Sequence, residues 1–233
     1  MIGKAAYVFC GSPGVGKGTL AQRCTQRFSW AALSTGTLCR KHINEQTEIG
    51  KQIDFIIKSG KLILDEMITG LVDEWIAQQR ADAPAVILDC YPQSILQIYQ
   101  LCRLLQTKYP SLQLHVIKLT VCDDVVINRL GNRLVCANHS CQAVYAAKGE
   151  YRLTPRQAAI CDFCGSSLVL RNDDKSAVVR ERLAAYYKHD LTEAFEEVGL
   201  SIEKLKADRP VDVIFNDFGR LIKRYERYAN DYY

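Results

Sequence analysis

The chain has 233 residues, 48 % of them hydrophobic and 24 % charged, and a net charge of +4. At roughly 150 residues per domain this is one domain, or one domain with insertions, long enough to hold a core without disulfides. That balance excludes disorder, collagen and coiled coil for the whole chain, and the mild positive charge suits an anionic ligand without arguing for nucleic acid.

Ala5 to Cys10 is a short apolar run that ends in a glycine-rich turn, the pattern of a buried parallel strand. A helix is predicted over 17–28 and a second strand over Trp30 to Leu33. Helical patterns follow over 36–46, 49–59 and 65–80, with Gly60 as a helix stop and Asp65 as an N-cap. Val86 to Asp89 form a third strand end, Ser94 to Lys108 a helix, Leu112 to Thr120 a fourth strand, and 123–134 another helix. From Cys136 to Asp174 the helical period fades, which reads as an inserted subdomain. Beyond it come one long helix from Lys175 to Val198, a fifth strand from Ser201 to Lys206, and a last helix from Val211 to Tyr228. Strands alternating with helices predict an α/β fold: a parallel sheet with helices on both faces. No apolar run approaches the roughly 18 residues of a membrane span, and the segment before the first strand is too short for a signal peptide, so the expected setting is the cytosol.

After the first strand comes Gly11-Ser12-Pro13-Gly14-Val15-Gly16-Lys17-Gly18-Thr19. Glycines there let backbone N–H groups turn inward around a phosphate, and the next helix offers its N-terminus to the same anion. Lys17 supplies a point charge for the outer phosphates, and Thr19 a hydroxyl near them. In the general pattern Ser or Thr directly follows the lysine; here Gly18 intervenes.

Ten cysteines are too few for a disulfide scaffold, which needs about 8–10 %. Cys10, Cys24, Cys39, Cys90, Cys102 and Cys122 are scattered, most of them in apolar or helical patterns. The other four form two close pairs, Cys136-x4-Cys141 and Cys161-x2-Cys164, separated by 19 residues. Two short pairs across a longer loop suit a tetrahedral zinc site, because each pair brings two thiolates from one turn. Such a site would be structural, since four protein ligands leave no position open for chemistry. His139 is an alternative second ligand, because Cys136-x2-His139 keeps the commoner spacing.

Taken together, these segments resemble the adenylate kinases, within the nucleoside monophosphate kinases. The Gly-x-Pro-Gly-x-Gly-Lys-Gly-Thr loop is similar to that family's phosphate loop, including Gly18. Ser34-Thr35-Gly36-Thr37-Leu38-Cys39-Arg40, Gly60-Lys61-Leu62-Ile63 with Asp65-Glu66, and Leu88-Asp89-Cys90-Tyr91-Pro92-Gln93 with Gln97 resemble further family segments in the family's order. So do Arg129-Leu130-Gly131-Asn132-Arg133, Arg171-Asn172-Asp173-Asp174, and Arg180-x-Arg182-Leu183. The resemblance implies a P-loop three-layer fold: a central five-stranded parallel sheet, a helical monophosphate-binding insertion (35–64) and a zinc-binding lid (135–174) on a core of 1–34, 65–134 and 175–233.

It also implies ATP, AMP and ADP as ligands, Mg2+ with ATP, structural Zn2+, and a monomer that needs neither nucleic acid nor a membrane. ATP would meet Gly14, Val15, Gly16, Lys17, Gly18, Thr19, Arg129, Arg133, Tyr145 and Arg209. AMP would meet Thr35, Arg40, Ile63, Gln93, Gln97, Arg171 and Arg180. The catalytic set would be Lys17, Asp89, Arg129, Arg133, Arg171 and Arg180, arginines being suited to the charge that spreads over a transferring phosphoryl group. The metal ligands would be Cys136, Cys141, Cys161 and Cys164, Cys141 being preferred to His139 from its register with Tyr145. Asp173 and Asp174 would cap the following helix and orient the arginines.

Three positions depart from the family: Thr37 replaces an acidic residue, Cys90 a glycine, and Gln93 an arginine that grips the AMP phosphate. They keep two alternatives open, a kinase for another nucleoside monophosphate and a nucleotide sensor with weakened transfer. His42, His115 and His189 read as structural, and the basic, tyrosine-rich end with Tyr225, Tyr228, Tyr232 and Tyr233 as an amphipathic helix with a polar tail rather than an RNA platform.

Overall fold

The computed structural model describes residues 5–79, 84–138, 141, 143–147, 154–171, 174 and 176–231, without the side chains of 176 and 226–231. His139, Asn172, Asp173, Tyr232 and Tyr233, singled out above, lie outside the described residues, as does the side chain of Tyr228. In chain order the elements are β1 (Ala5–Cys10), α1 (Lys17–Phe28), β2 (Ala31–Ser34), α2 (Thr35–Asn44), α3 (Glu48–Lys58), α4 (Asp65–Gln79), β3 (Ala85–Asp89), α5 (Ile95–Lys108), β4 (Gln113–Thr120) and α6 (Asp123–Gly131). They continue with β5 (Arg133–Cys136), β6 (Val144–Ala146), β7 (Leu168–Leu170), α7 (Ser176–Lys188), α8 (Thr192–Glu197), β8 (Ile202–Lys206) and α9 (Val211–Asp231).

Five strands form the expected parallel sheet, in the order β2-β3-β1-β4-β8. β1 is buried on both faces, which is why it reads as an unbroken apolar run. Its alternate residues enter different cores. Ala6 and Val8 join Leu33, Leu88, Ile98, Leu101 and Phe195 on one face. Tyr7 and Phe9 join Leu20, Ile87, Ile117 and Phe218 on the other. The register pairs Phe9 with Asp89 and Ser34 with Asp89, so β1, β2 and β3 end level. Whatever follows each strand is therefore delivered to one edge, the carboxyl edge where open α/β sheets bind ligands.

Three expectations need correction. The helix over 123–134 stops at Gly131, and Arg133–Cys136 is strand β5, paired antiparallel with β6 and β7 in a small second sheet. The long helix over 175–198 is two helices, broken where Asp190 accepts hydrogen bonds from the Thr192 amide (3.0 Å) and Lys118 Nζ (2.7 Å). Asp65 is not an N-cap but the first residue of α4, and its carboxylate reaches across to α5. Gly60 does stop its helix. At φ 73° it lets its amide bond Ile57 O and that of Lys61 bond Ile56 O, a Schellman closure. No helix among the described residues is long and apolar enough to cross a membrane.

Candidate active site and metal centre

The turn after β1 needs its glycines. Gly11, Gly14 and Gly16 have φ of 139°, 77° and 115°. A Cβ on Gly11 would stand 2.5 Å from Leu119 O, and one on Gly14 2.7 Å from Leu130 Cγ. Lys17, the first residue of α1, folds back over this loop. Its ammonium donates to Gly11 O (2.8 Å) and Ser12 O (3.1 Å), and the residue is buried. Thr19 and Gly18 are exposed beyond it. A Cβ on Gly18 would touch Asp89 Oδ2 at 3.4 Å, so the glycine brings the end of β3 against the first turn of α1.

Asp89 is buried. Desolvation raises its carboxyl pKa, and the nearby Lys17 charge opposes that only in part. A carboxyl with a folded pKa above its unfolded one makes unfolding easier as pH rises through that interval, so the ionised group destabilises the fold at neutral pH. Asp89→Asn is therefore expected to raise the thermal midpoint at pH 7 while lowering kcat. A calorimetric scan beside a turnover assay checks both, and a lowered midpoint would refute the electrostatic account.

Cys90 follows with φ 60° and donates its thiol to Asp89 Oδ1 at 3.3 Å. Burial and then the Asp89 charge push that thiol up to about 11. Its carbonyl is a junction, accepting from Thr35 Oγ1 (2.9 Å) and Gln93 Nε2 (2.9 Å). Gln97, 5 % exposed, accepts the Gln93 amide on Oε1 (2.7 Å) and donates Nε2 to Asp65 Oδ1 (2.7 Å). Arg40 Nη2 donates to Thr37 Oγ1 (3.1 Å), so the threonine that replaces an acid still holds this arginine. Ile63 packs at the margin of the core.

The arginines divide by their partners. Arg129 donates Nη1 to Val15 O (2.8 Å) and Nη2 to Ala207 O (2.5 Å), tying the phosphate loop to the end of β8. Arg133 grips Asp174 through Nε (2.7 Å) and Nη2 (2.6 Å), and Arg182 adds a bond to the same carboxylate at 3.3 Å. Arg180 is exposed on α7, beside Val179, which packs with Leu183 on Val126 and Leu130 of α6. Arg171 is half-buried just after β7. Arg209 pairs with Asp217 at 2.6 Å, and its Nε is buried without a hydrogen-bond partner. Tyr145 is 2 % exposed, with its hydroxyl 3.6 Å from Cys161 Sγ and accepting from the Asp162 amide (2.8 Å), so its side chain packs into the cysteine cluster of the lid. Asp65 and Asp190 act through bonds to distant elements, and only the short Asp190-x-Thr192 spacing carried a local signal of its role.

Cys136, Cys141, Cys161 and Cys164 bring four Sγ atoms within 4.8 Å of one another. Cys136 and Cys164 are 3.3 Å apart, Cys141 and Cys161 3.7 Å. A tetrahedral ZnS4 site with bonds of about 2.3 Å puts its sulfurs about 3.8 Å apart, so this spacing fits the metal. Each sulfur also faces a backbone amide two residues on, from Asn138, Ala143, Phe163 and Ser166 respectively. Hydrogen bonds from Ser166, hydroxyl and amide, hold the Cys164 thiol down to about 6.

The family model for adenylate kinase matches residues 9–198. The adenylate kinase of Pseudothermotoga lettingae is 33 % identical over 219 residues, 93 % of this chain and 97 % of that protein. That of Petrotoga mobilis is 35 % identical over 185 residues (78 % and 80 %), and that of Methanococcoides burtonii 30 % over 221 (94 % and 99 %). The matched range takes in both the phosphate loop and the cysteine cluster, and this chain belongs to the adenylate kinase family.

Proposed function

We infer that ATP lies along Gly14 to Thr19, and that AMP sits between Thr35, Arg40, Ile63 and Gln97, with 35–64 and 135–174 as the segments that cover the two nucleotides. As an adenylate kinase the chain transfers the γ-phosphoryl group of ATP to AMP, reversibly, giving two ADP, with Mg2+ accompanying ATP. The observation that best supports the residue roles is Lys17: a buried ammonium held by two loop carbonyls, with the Asp89 carboxylate across from it. Phosphate oxygens entering the loop meet that charge and the inward N–H groups.

No covalent intermediate is needed, because positioning and electrostatics suffice for in-line transfer. Arg129, Arg133, Arg171 and Arg180 supply the positive charge around the moving phosphoryl. Asp89 offers a hard oxygen to the water shell of Mg2+, which when bound neutralises phosphate charge. In the lid, Cys136, Cys141, Cys161 and Cys164 would hold structural zinc, a site suited to a reducing cytosol. The reading is of a monomer whose substrates are small.

ADP formation from ATP with AMP, UMP, CMP and GMP in parallel tests it. AMP should be the preferred acceptor, and preference for another would move the chain to a different monophosphate kinase. A mere nucleotide sensor is disfavoured because a binder has no need of groups that act in the transition state.

Gln93 gives a further expected result. An arginine would present a charged fork to the AMP phosphate, whereas Gln93 spends its Nε2 on Cys90 O. A hydrogen bond to a charged group is worth about 1.5–3 kcal/mol. Gln93→Arg should therefore raise kcat/KM for AMP about tenfold or more and leave KM for ATP unchanged. An unchanged or lower value would instead favour compensation by Lys41 or Lys61.

A further inference from the structure

The Gln97 amide is pinned at both ends by groups with only one hydrogen-bonding sense. Asp65 Oδ1 can only accept, and takes Nε2 at 2.7 Å. The Gln93 backbone N–H can only donate, and gives to Oε1 at 2.7 Å. Turning the amide over would set Nε2 against an N–H and Oε1 against a carboxylate, two repulsions in a residue 5 % exposed. The other Asp65 oxygen accepts Ser94 Oγ (2.8 Å), and Ser94 also caps α5 by accepting the Gln97 amide N–H (3.1 Å); since either carboxylate oxygen can only accept, the constraint on Gln97 does not depend on the Ser94 bond. Each end of the Gln97 amide keeps one unused valence, a donor on Nε2 and an acceptor on Oε1, in an order the fold does not allow to reverse.

Adenine offers an acceptor at N1 and a donor at N6. A 6-oxopurine offers a donor at N1 and an acceptor at O6, the same contacts in the opposite sense. A freely turning glutamine could pair with either. We propose that Asp65 is a specificity-determining positioning residue, which makes the monophosphate site read adenine and reject 6-oxopurines by locking the Gln97 amide in one orientation. This rests on the assignment of Gln97 to the AMP base. Asp65 touches no substrate; it acts through Gln97. An asparagine at 65 can turn its own amide and offer either a donor or an acceptor, so it keeps the shape and releases the lock.

The test compares AMP with inosine monophosphate, a 6-oxopurine nucleotide that lacks the 2-amino group of GMP, at saturating Mg-ATP. Asp65→Asn should lower the AMP-to-IMP ratio of kcat/KM by at least about tenfold, through a higher KM for AMP and a lower one for IMP, with KM for ATP unchanged. Loss of α5 capping alone would raise both acceptor KM values together and leave the ratio intact. Ser94→Ala removes the cap but keeps the Asp65–Gln97 bond, and should lower the thermal midpoint without moving the ratio. Should Asp65→Asn be poorly folded, Asp65→Ala read by calorimetric binding of AMP and IMP supplies the same ratio. Gln97→Ala separates the two layers. If it leaves AMP kinetics untouched, the base-site assignment fails. If it weakens AMP while Asp65→Asn and Asp65→Ala keep the wild-type ratio, the assignment stands and the lock is overturned.

Discussion

Lys17→Met is expected to lower kcat by at least about 10²-fold while ATP still binds. The ammonium is the one side-chain cation held inside the phosphate loop among the described residues, gripped by Gly11 O and Ser12 O rather than by a carboxylate. Charge builds on the outer phosphate oxygens as the phosphoryl group moves, so a fixed cation there stabilises the transition state more than bound ATP. Methionine keeps the length and apolar stem but removes the charge. The backbone N–H groups of the loop remain, which is why binding survives. Arg133→Ala should cost as much in kcat but for a mixed reason. It also leaves the Asp174 carboxylate, 2 % exposed, with Arg182 as its weaker partner at 3.3 Å, and an under-satisfied buried carboxylate costs about 1–3 kcal/mol of stability. Steady-state kinetics with a melting curve on each variant separates these contributions. Lys17→Met should lose rate with little change in midpoint, and Arg133→Ala should lose both. Near-normal kcat in Arg133→Ala would remove it from the catalytic set.

The parts of this molecule that were legible in the sequence are those governed by local rules. β1 reads as a strand because both of its faces are buried, and the loop after it reads as a phosphate cradle because three glycines take positive φ. The end of α3 is legible because Gly60 closes a Schellman motif in the manner any helix would. What was not legible depends on partners far along the chain. Leu130 and Leu134 keep helical spacing, yet Leu134 pairs with Tyr145 and Leu170 in the second sheet, and that pairing ends the helix at Gly131. Asp65 looks like a cap from its neighbours, but its carboxylate answers to Ser94 and Gln97, about thirty residues on. Tyr145 has the spacing of a ligand contact, and its burial beside Cys161 becomes visible only in the folded lid. Across the site, residue types could be assigned from sequence; the direction each hydrogen bond runs could not.

The zinc prediction has the largest structural consequence. Carefully reduced protein is expected to carry one zinc per chain, and removing the metal should unfold the lid before the core. Within the lid cluster Tyr145 and Leu168 are the large buried side chains, with Leu134 partly buried. At about 1.5–3 kcal/mol for each large apolar side chain, they contribute far less than the roughly 10–16 kcal/mol of apparent binding that zinc gives small Cys/His modules. Four sulfurs already within 4.8 Å, each facing an amide two residues on, need little rearrangement to bind the ion. Stripped of metal, the same four thiols, two buried, one half-buried and one exposed, would stand together with nothing to join them. Proteolysis should then begin between Ala137 and Ser167 while the sheet stays protected, and the early melting should return to normal on adding zinc. Cys141→Ser should release the ion to a chelator far faster than His139→Ala, because Cys141 Sγ stands with the other three sulfurs. Elemental analysis that finds no metal in the reduced protein would reject the zinc site, and faster release from His139→Ala would replace Cys141 as the second ligand.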